Sequence, residues 1–68
     1  MPRCEIWWLQ GRTEEQRREV AQKLTKSFTE VLHCPEEEVV VIFRETAPDM
    51  YYRGGVSTAQ RRAAKQNQ

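Results

Sequence analysis

Residues 38–44, Glu-Val-Val-Val-Ile-Phe-Arg, form a nearly unbroken apolar run within a chain of only 68 residues. Their β-branched and aromatic content predicts a strand. The lack of alternation predicts burial on both faces, as in a parallel sheet. A parallel partner needs a crossover connection, usually a helix, and the preceding sequence supplies both. Residues 3–9, Arg-Cys-Glu-Ile-Trp-Trp-Leu, read as a first strand that Gly11 ends. Alternation puts Cys4, Ile6 and Trp8 on one face and Glu5, Trp7 and Leu9 on the other.

The segment from about Glu14 to His33 reads as the crossover helix. Thr13 is its N-cap and Gln16 completes a capping box. Glu14 and Glu15 suit the positive end of the helix dipole. Val20, Leu24, Phe28, Val31 and Leu32 recur at helical spacing with Ala21 beside them. Arg17, Arg18, Lys23, Lys26 and Glu30 make the opposite, solvated face. Cys34-Pro35 ends the helix, and Glu36-Glu37-Glu38 reads as a solvated turn. Strand, helix and strand make a βαβ unit with a right-handed crossover. Ala47-Pro48-Asp49 is a turn, and Tyr51–Val56 a short hairpin or loop edge. Beyond Thr58 the chain is Ala, Gln, Arg, Lys and Asn, which predicts a flexible tail from about residue 59. The expected fold class is α/β: one domain over residues 1–68, a single β-α-β unit with parallel strands plus a short C-terminal hairpin.

Two strands and one helix cannot bury Trp7, Trp8, Phe43 and the valines. A lone core of this size supplies roughly 3–5 kcal/mol, and small domains compensate with disulfides, metals or oligomerisation. Cys4 and Cys34 are too few for a disulfide framework, and with the single His33 too few for a structural zinc site in one chain. Oligomerisation is the expected route. No apolar run approaches the roughly 18 residues of a membrane span, so a cytoplasmic location with reduced thiols is expected. The net charge of +1 creates no global field for nucleic acid or an acidic membrane. All ten acids precede position 50, whereas Arg53, Arg61, Arg62 and Lys65 follow it. The plain reading is a solvated basic tail; the sharper one is a contribution to an anion site.

The chemistry begins at Pro2. Small second residues usually permit removal of the initiator methionine, which would leave Pro2 with a free secondary amine. A terminal amine has a reference pKa of roughly 7.7–8.0, suited to a general base, general acid or nucleophile. Burial or nearby cations would lower it. Trp8 shares strand parity with Pro2 and is a candidate pocket wall.

In order and spacing, Pro2, the stretch Leu9-Gln10-Gly11-Arg12-Thr13-Glu14-Glu15-Gln16, the Pro35 turn before a Val-rich strand, Glu45, and Tyr51 ahead of Gly54-Gly55 together resemble the tautomerase superfamily, specifically short subunits of the 4-oxalocrotonate tautomerase group. The resemblance covers residue 2 to about residue 62. It implies a homo- or heterohexamer built as a trimer of dimers. It further implies a cofactor-independent enzyme whose Pro2 moves a proton in a small enol, keto or dienol acid. Arg12 would come from a neighbouring subunit to hold the substrate carboxylate, and Tyr51 would keep the pocket apolar beside the proline.

The resemblance departs at Val40, where the family carries a second arginine that polarises the substrate carbonyl. Losing such a donor typically costs about 10²–10³ in rate. Arg44 lies roughly 13 Å further along the strand, too far to substitute. Arg53 stands where the family has an apolar residue and is the candidate second cation; the plain alternative is an arginine projecting into solvent. A different subunit in a heterohexamer is a further source of the missing arginine, and a non-catalytic partner subunit is the competing reading. Hydratase and dehalogenase members of the superfamily rank lower, because the positions of their acid and additional arginine are Arg53 and Leu9 here.

The remaining residues have plainer readings. His33 caps a helix or lies on the surface. Cys4 and Cys34 are small, buried and inert. Trp7 and Trp8 face opposite sides of a strand, so intersubunit packing explains them better than base stacking. Neither a helix start nor Lys-Ser/Thr is expected after Gly54-Gly55, which argues against a phosphate loop.

Overall fold

The computed structural model describes residues 1–66. The chain runs β1 (Arg3–Leu9), α1 (Glu14–Leu32), β2 (Val40–Thr46), β3 (Tyr52–Arg53), β4 (Val56–Ser57) and α2 (Thr58–Gln66), with single 3-10 turns at Glu36–Glu38 and Pro48–Met50. β1 and β2 pair in parallel, from Arg3 opposite Val40 to Leu9 opposite Thr46. The ladder extends past both ends: Val40 N–H donates to the Pro2 carbonyl and Gln10 N–H to the Thr46 carbonyl, each at 3.0 Å.

This register puts Cys4, Ile6, Trp8, Val41, Phe43 and Glu45 on one face. α1 covers that face, and Val20, Ala21, Leu24 and Phe28 are largely but not fully buried against it. Thr13 and Gln16 exchange the expected pair of capping hydrogen bonds. The helix stops one residue short of the expected end. His33 instead adopts the left-handed conformation as the C-cap, with φ of 56°, and its N–H donates to the Thr29 carbonyl. Val31 and Leu32 do not join the covered face; they are 75% and 55% exposed.

β2 starts and ends two residues later than the apolar run suggests. Glu36–Glu38 close a 3-10 turn on the Pro35 carbonyl, which takes Glu38 out of the strand. At the other end, β1 offers partners as far as Leu9 and so carries pairing through Arg44, Glu45 and Thr46. Burial on both faces is not achieved within one protomer. The second face, carrying Arg3, Glu5, Trp7, Val40, Ile42 and Arg44, is open, and Trp7 is 70% exposed.

The C-terminal segment differs most from expectation. β3 and β4 form an antiparallel hairpin, Tyr52 opposite Ser57 and Arg53 opposite Val56. Its two-residue turn takes positive φ at both Gly54 (61°) and Gly55 (78°), which glycine adopts without steric cost. In place of an irregular tail, Thr58–Gln66 is helical. Its alanine, glutamine, arginine and lysine have high intrinsic helix propensity. Ser57 and Gln60 form a second capping box, with Gln60 N–H donating to Ser57 Oγ at 3.1 Å and Ser57 N–H to Gln60 Oε1 at 2.8 Å. Thr58 N–H donates to the Tyr51 carbonyl at 2.9 Å, tying the helix to the hairpin.

Ser57, 3% exposed, is the only buried residue among the described residues; no apolar one is. The radius of gyration is 16.3 Å, against about 11 Å for a compact chain of this length. The chain alone is therefore an open fold without a closed core. Thr13→Ala should lower stability by about 1 kcal/mol, measured by urea unfolding at fixed protein concentration, and Thr13→Ser should restore most of the loss.

Candidate active site

A cavity of about 410 Å³ lies where the end of β1 meets the hairpin and α2, lined by Trp7, Trp8, Leu9, Tyr51, Arg53, Thr58 and Arg61. Its volume falls in the range of small-molecule sites. The walls are aromatic and aliphatic, the charged groups are both guanidiniums, and no carboxylate lines it. β1 ends beside the hairpin because the Gln10 bond to Thr46 carries the ladder up to the Pro48–Met50 turn. A larger, open groove of about 570 Å³ runs along α1 past Arg18, Gln22, Thr25, Lys26 and Glu36. It holds none of the candidate site residues and is relief on a polar helix surface.

Trp8 is the best-anchored wall. Its ring stacks on Phe43 with centroids 5.0 Å apart and planes 20° from parallel. Its indole N–H donates to Glu45 Oε2 at 3.0 Å. The Arg12 guanidinium carbon stands 4.9 Å from the ring centroid, within cation–π range. Arg12 Nη1 also donates to the Leu9 carbonyl at 2.9 Å.

Arg17 completes the arrangement and corrects its assignment to the solvated helix face. Its Nη1 donates to Glu45 Oε2 at 3.2 Å and to the Arg12 carbonyl at 2.8 Å. The two charged side chains are only 31% and 25% exposed. Glu45 thus holds Trp8 directly and the backbone of Arg12 through Arg17. Sequence reasoning marked Glu45 without a role and missed Arg17. The only available signal was an arginine one turn after the capped helix start, next to a loop that must be fixed.

The structure brings together three of the candidate residues, Trp8, Tyr51 and Arg53, around the cavity, with Arg12 on the Trp8 ring. It does not bring Pro2 to them. Pro2 sits before β1, six residues from Trp8, or roughly 20 Å at strand rise. Its carbonyl is held by Val40, so the residue next to it on the sheet is an aliphatic one. Arg44 is equally remote in function: it lies on the open face within an Arg3–Glu5–Arg44 ion-pair chain, with Glu5 Oε1 3.4 and 3.8 Å from the two guanidiniums. Arg61, read as tail, lines the cavity; the Ser-x-x-Gln spacing ahead of it was the sequence signal for an ordered helix.

Solved structures share this architecture. TomN, a 4-oxalocrotonate tautomerase homologue in the tomaymycin biosynthetic pathway, aligns with a TM-score of 0.80 at 37% identity, covering 91% of this chain and 95% of TomN. The heterohexamer 4-oxalocrotonate tautomerase from Chloroflexus aurantiacus J-10-fl aligns with a TM-score of 0.76 at 33% identity, covering 88% and 97%. The fold is thus that of the 4-oxalocrotonate tautomerase homologues.

At the sequence level, a probable tautomerase of Bacillus cereus is 40% identical over 55 residues, covering 81% of this chain and 90% of the relative. The family model described as tautomerase enzyme matches residues 2–61. The chain belongs to the tautomerase family.

Glu45→Gln keeps the acceptor but removes the charge that Arg17 pairs with. In a Trp7→Phe background it should red-shift the emission of Trp8 and lower stability by about 1 kcal/mol. Fluorescence and urea unfolding of the same samples check both.

Proposed function

We propose that this chain is a cofactor-independent tautomerase that moves a proton within small enol, keto or dienol acids, with Pro2 as the general base once Met1 is removed. The observation that carries this reading is the split site. Trp8, Tyr51, Arg53 and the ring-stacked Arg12 gather at one end of β1, and Pro2 lies at the other. A base and a binding cavity separated by the length of a strand complement one another when protomers associate. The open sheet face and the absence of any fully buried apolar side chain among the described residues support association on independent grounds. A hexamer, of one chain or of two related ones, is the assembly we propose. The Chloroflexus relative is a heterohexamer.

In the proposed reaction the neutral Pro2 nitrogen accepts a proton from the substrate and returns it to another atom of the same conjugated acid. No net atom or electron is gained or lost. A base whose pKa lies near working pH suits this transfer, and an apolar surround disfavours its charged form. Arg12 binds the carboxylate through its planar fork. Arg53 stabilises the negative charge that develops on the substrate oxygen, in place of an arginine at Val40. Tyr51 and Trp8 wall the site.

Val40 beside Pro2 favours a second reading, a non-catalytic subunit that acts only with a related partner chain. The intact mass of the purified protein should lack one methionine. With phenylenolpyruvate or 2-hydroxymuconate as substrate, Pro2→Ala should lose about 100-fold or more in rate. Arg12→Ala should raise KM, and Arg53→Ala should lower kcat by about 10²–10³. Equal rates for wild type and Pro2→Ala defeat the Pro2 mechanism. Activity that arises only on mixing with a related chain establishes the second reading, and wild-type kinetics in Arg53→Ala remove the second cation.

A further inference from the structure

We propose that Arg61, on α2, is a substrate-binding residue of the aromatic cavity. With Arg53 it receives the anionic end of a planar conjugated or aromatic acid lying against Trp7, Trp8 and Tyr51. The inference deepens the reading above and rests on it for the chemistry performed at the site.

Three observations converge on Arg61. It lines the same 410 Å³ cavity as Arg53, and the lining contains no acid. Among the described residues neither arginine has a carboxylate within salt-bridge distance. Two like charges at one cavity with no counter-charge favour an anionic ligand, and guanidinium forks match a carboxylate or enolate oxygen in two-point contact.

Second, the pair is held in place. Arg61 Nη2 donates to the Arg53 carbonyl at 3.1 Å. The Ser57–Gln60 capping box and the Thr58 bond to Tyr51 fix the helix that carries Arg61. The glycine turn fixes the strand that carries Arg53. Third, the aromatic walls lie within the same cavity as the cations, so a flat body and a charged end are accommodated together. Arg61 thereby adds a positive charge on α2 to that of Arg53.

The test is binding, which needs no turnover. trans-Cinnamate and the neutral trans-cinnamamide are titrated against the purified full chain, followed by tryptophan emission. The wild type should prefer the acid. Arg61→Gln should weaken cinnamate binding about tenfold or more and leave cinnamamide unchanged. Arg61→Lys should recover part of the loss, and Arg62→Gln, one residue along and outside the cavity, should match the wild type. Wild type that does not distinguish acid from amide overturns the proposal. So does Arg61→Gln that binds cinnamate normally, or that loses both ligands equally, which would mark Arg61 as merely structural. Failure of the Pro2 mechanism is separable. Acid selectivity that depends on Arg61 alongside undiminished turnover in Pro2→Ala leaves the binding assignment standing and removes only the proton-transfer role.

Discussion

Everything in this protomer hangs on the parallel pairing of β1 with β2. A two-stranded parallel sheet has two faces and two edges, and a single crossover helix covers one face. The pairing sets Trp8 against Glu45 and diagonally against Phe43, so one side of the sheet holds a stacked, hydrogen-bonded aromatic cluster. The same register leaves Trp7 and the Arg3–Glu5–Arg44 chain on the other side. Parallel strands ordinarily bury both faces. Here the chain itself supplies no second covering, and it extends over 50 × 23 × 15 Å.

The cluster on the covered face is also what orders the loop between β1 and α1. That loop contains Gly11 at φ of 132°, a conformation that gives no rigidity of its own. Rigidity comes from Glu45 on β2 accepting from Arg17 on α1, and from Arg17 donating to the Arg12 carbonyl. Arg12 is consequently held by both its backbone and its side chain, with ring and carbonyl contacts on the guanidinium. Holding a charged group in place before a ligand arrives reduces the ordering cost of binding.

Local rules made the Thr13–Gln16 cap, the two extended segments and the glycine hairpin legible in the sequence, because each depends on neighbours a few residues apart. Pro2 stood out as a candidate base from its place behind Met1, whereas the carboxylate-binding role of Arg12 came from family resemblance; both roles are proposals. The Arg17–Glu45 pair spans 28 residues and exists only once the strand register is set, so helical periodicity alone assigned Arg17 to solvent. β2 was displaced by two residues because three glutamates after Pro35 prefer a 3-10 turn to extension. α2 was missed because it lacks an apolar stripe; its order comes from the Ser57 cap and the tie to Tyr51, and its alanine-rich composition fits a helix better than a coil.

The hydrogen bond from Val40 N–H to the Pro2 carbonyl carries a last consequence. The first residues of a domain ordinarily fray. At Pro2 the pyrrolidine ring closes one backbone torsion, and the sheet takes hold of the carbonyl. The residue before the first strand is thereby locked into the ladder by the very position at which a guanidinium is missing. Val40 contributes nothing electrostatic through its side chain, yet its main chain aims the proline. If Pro2 is the base we propose, its placement and the stabilisation of charge are separate tasks. The backbone of β2 performs the first whatever side chain stands there, which leaves the source of positive charge free to move elsewhere on the surface.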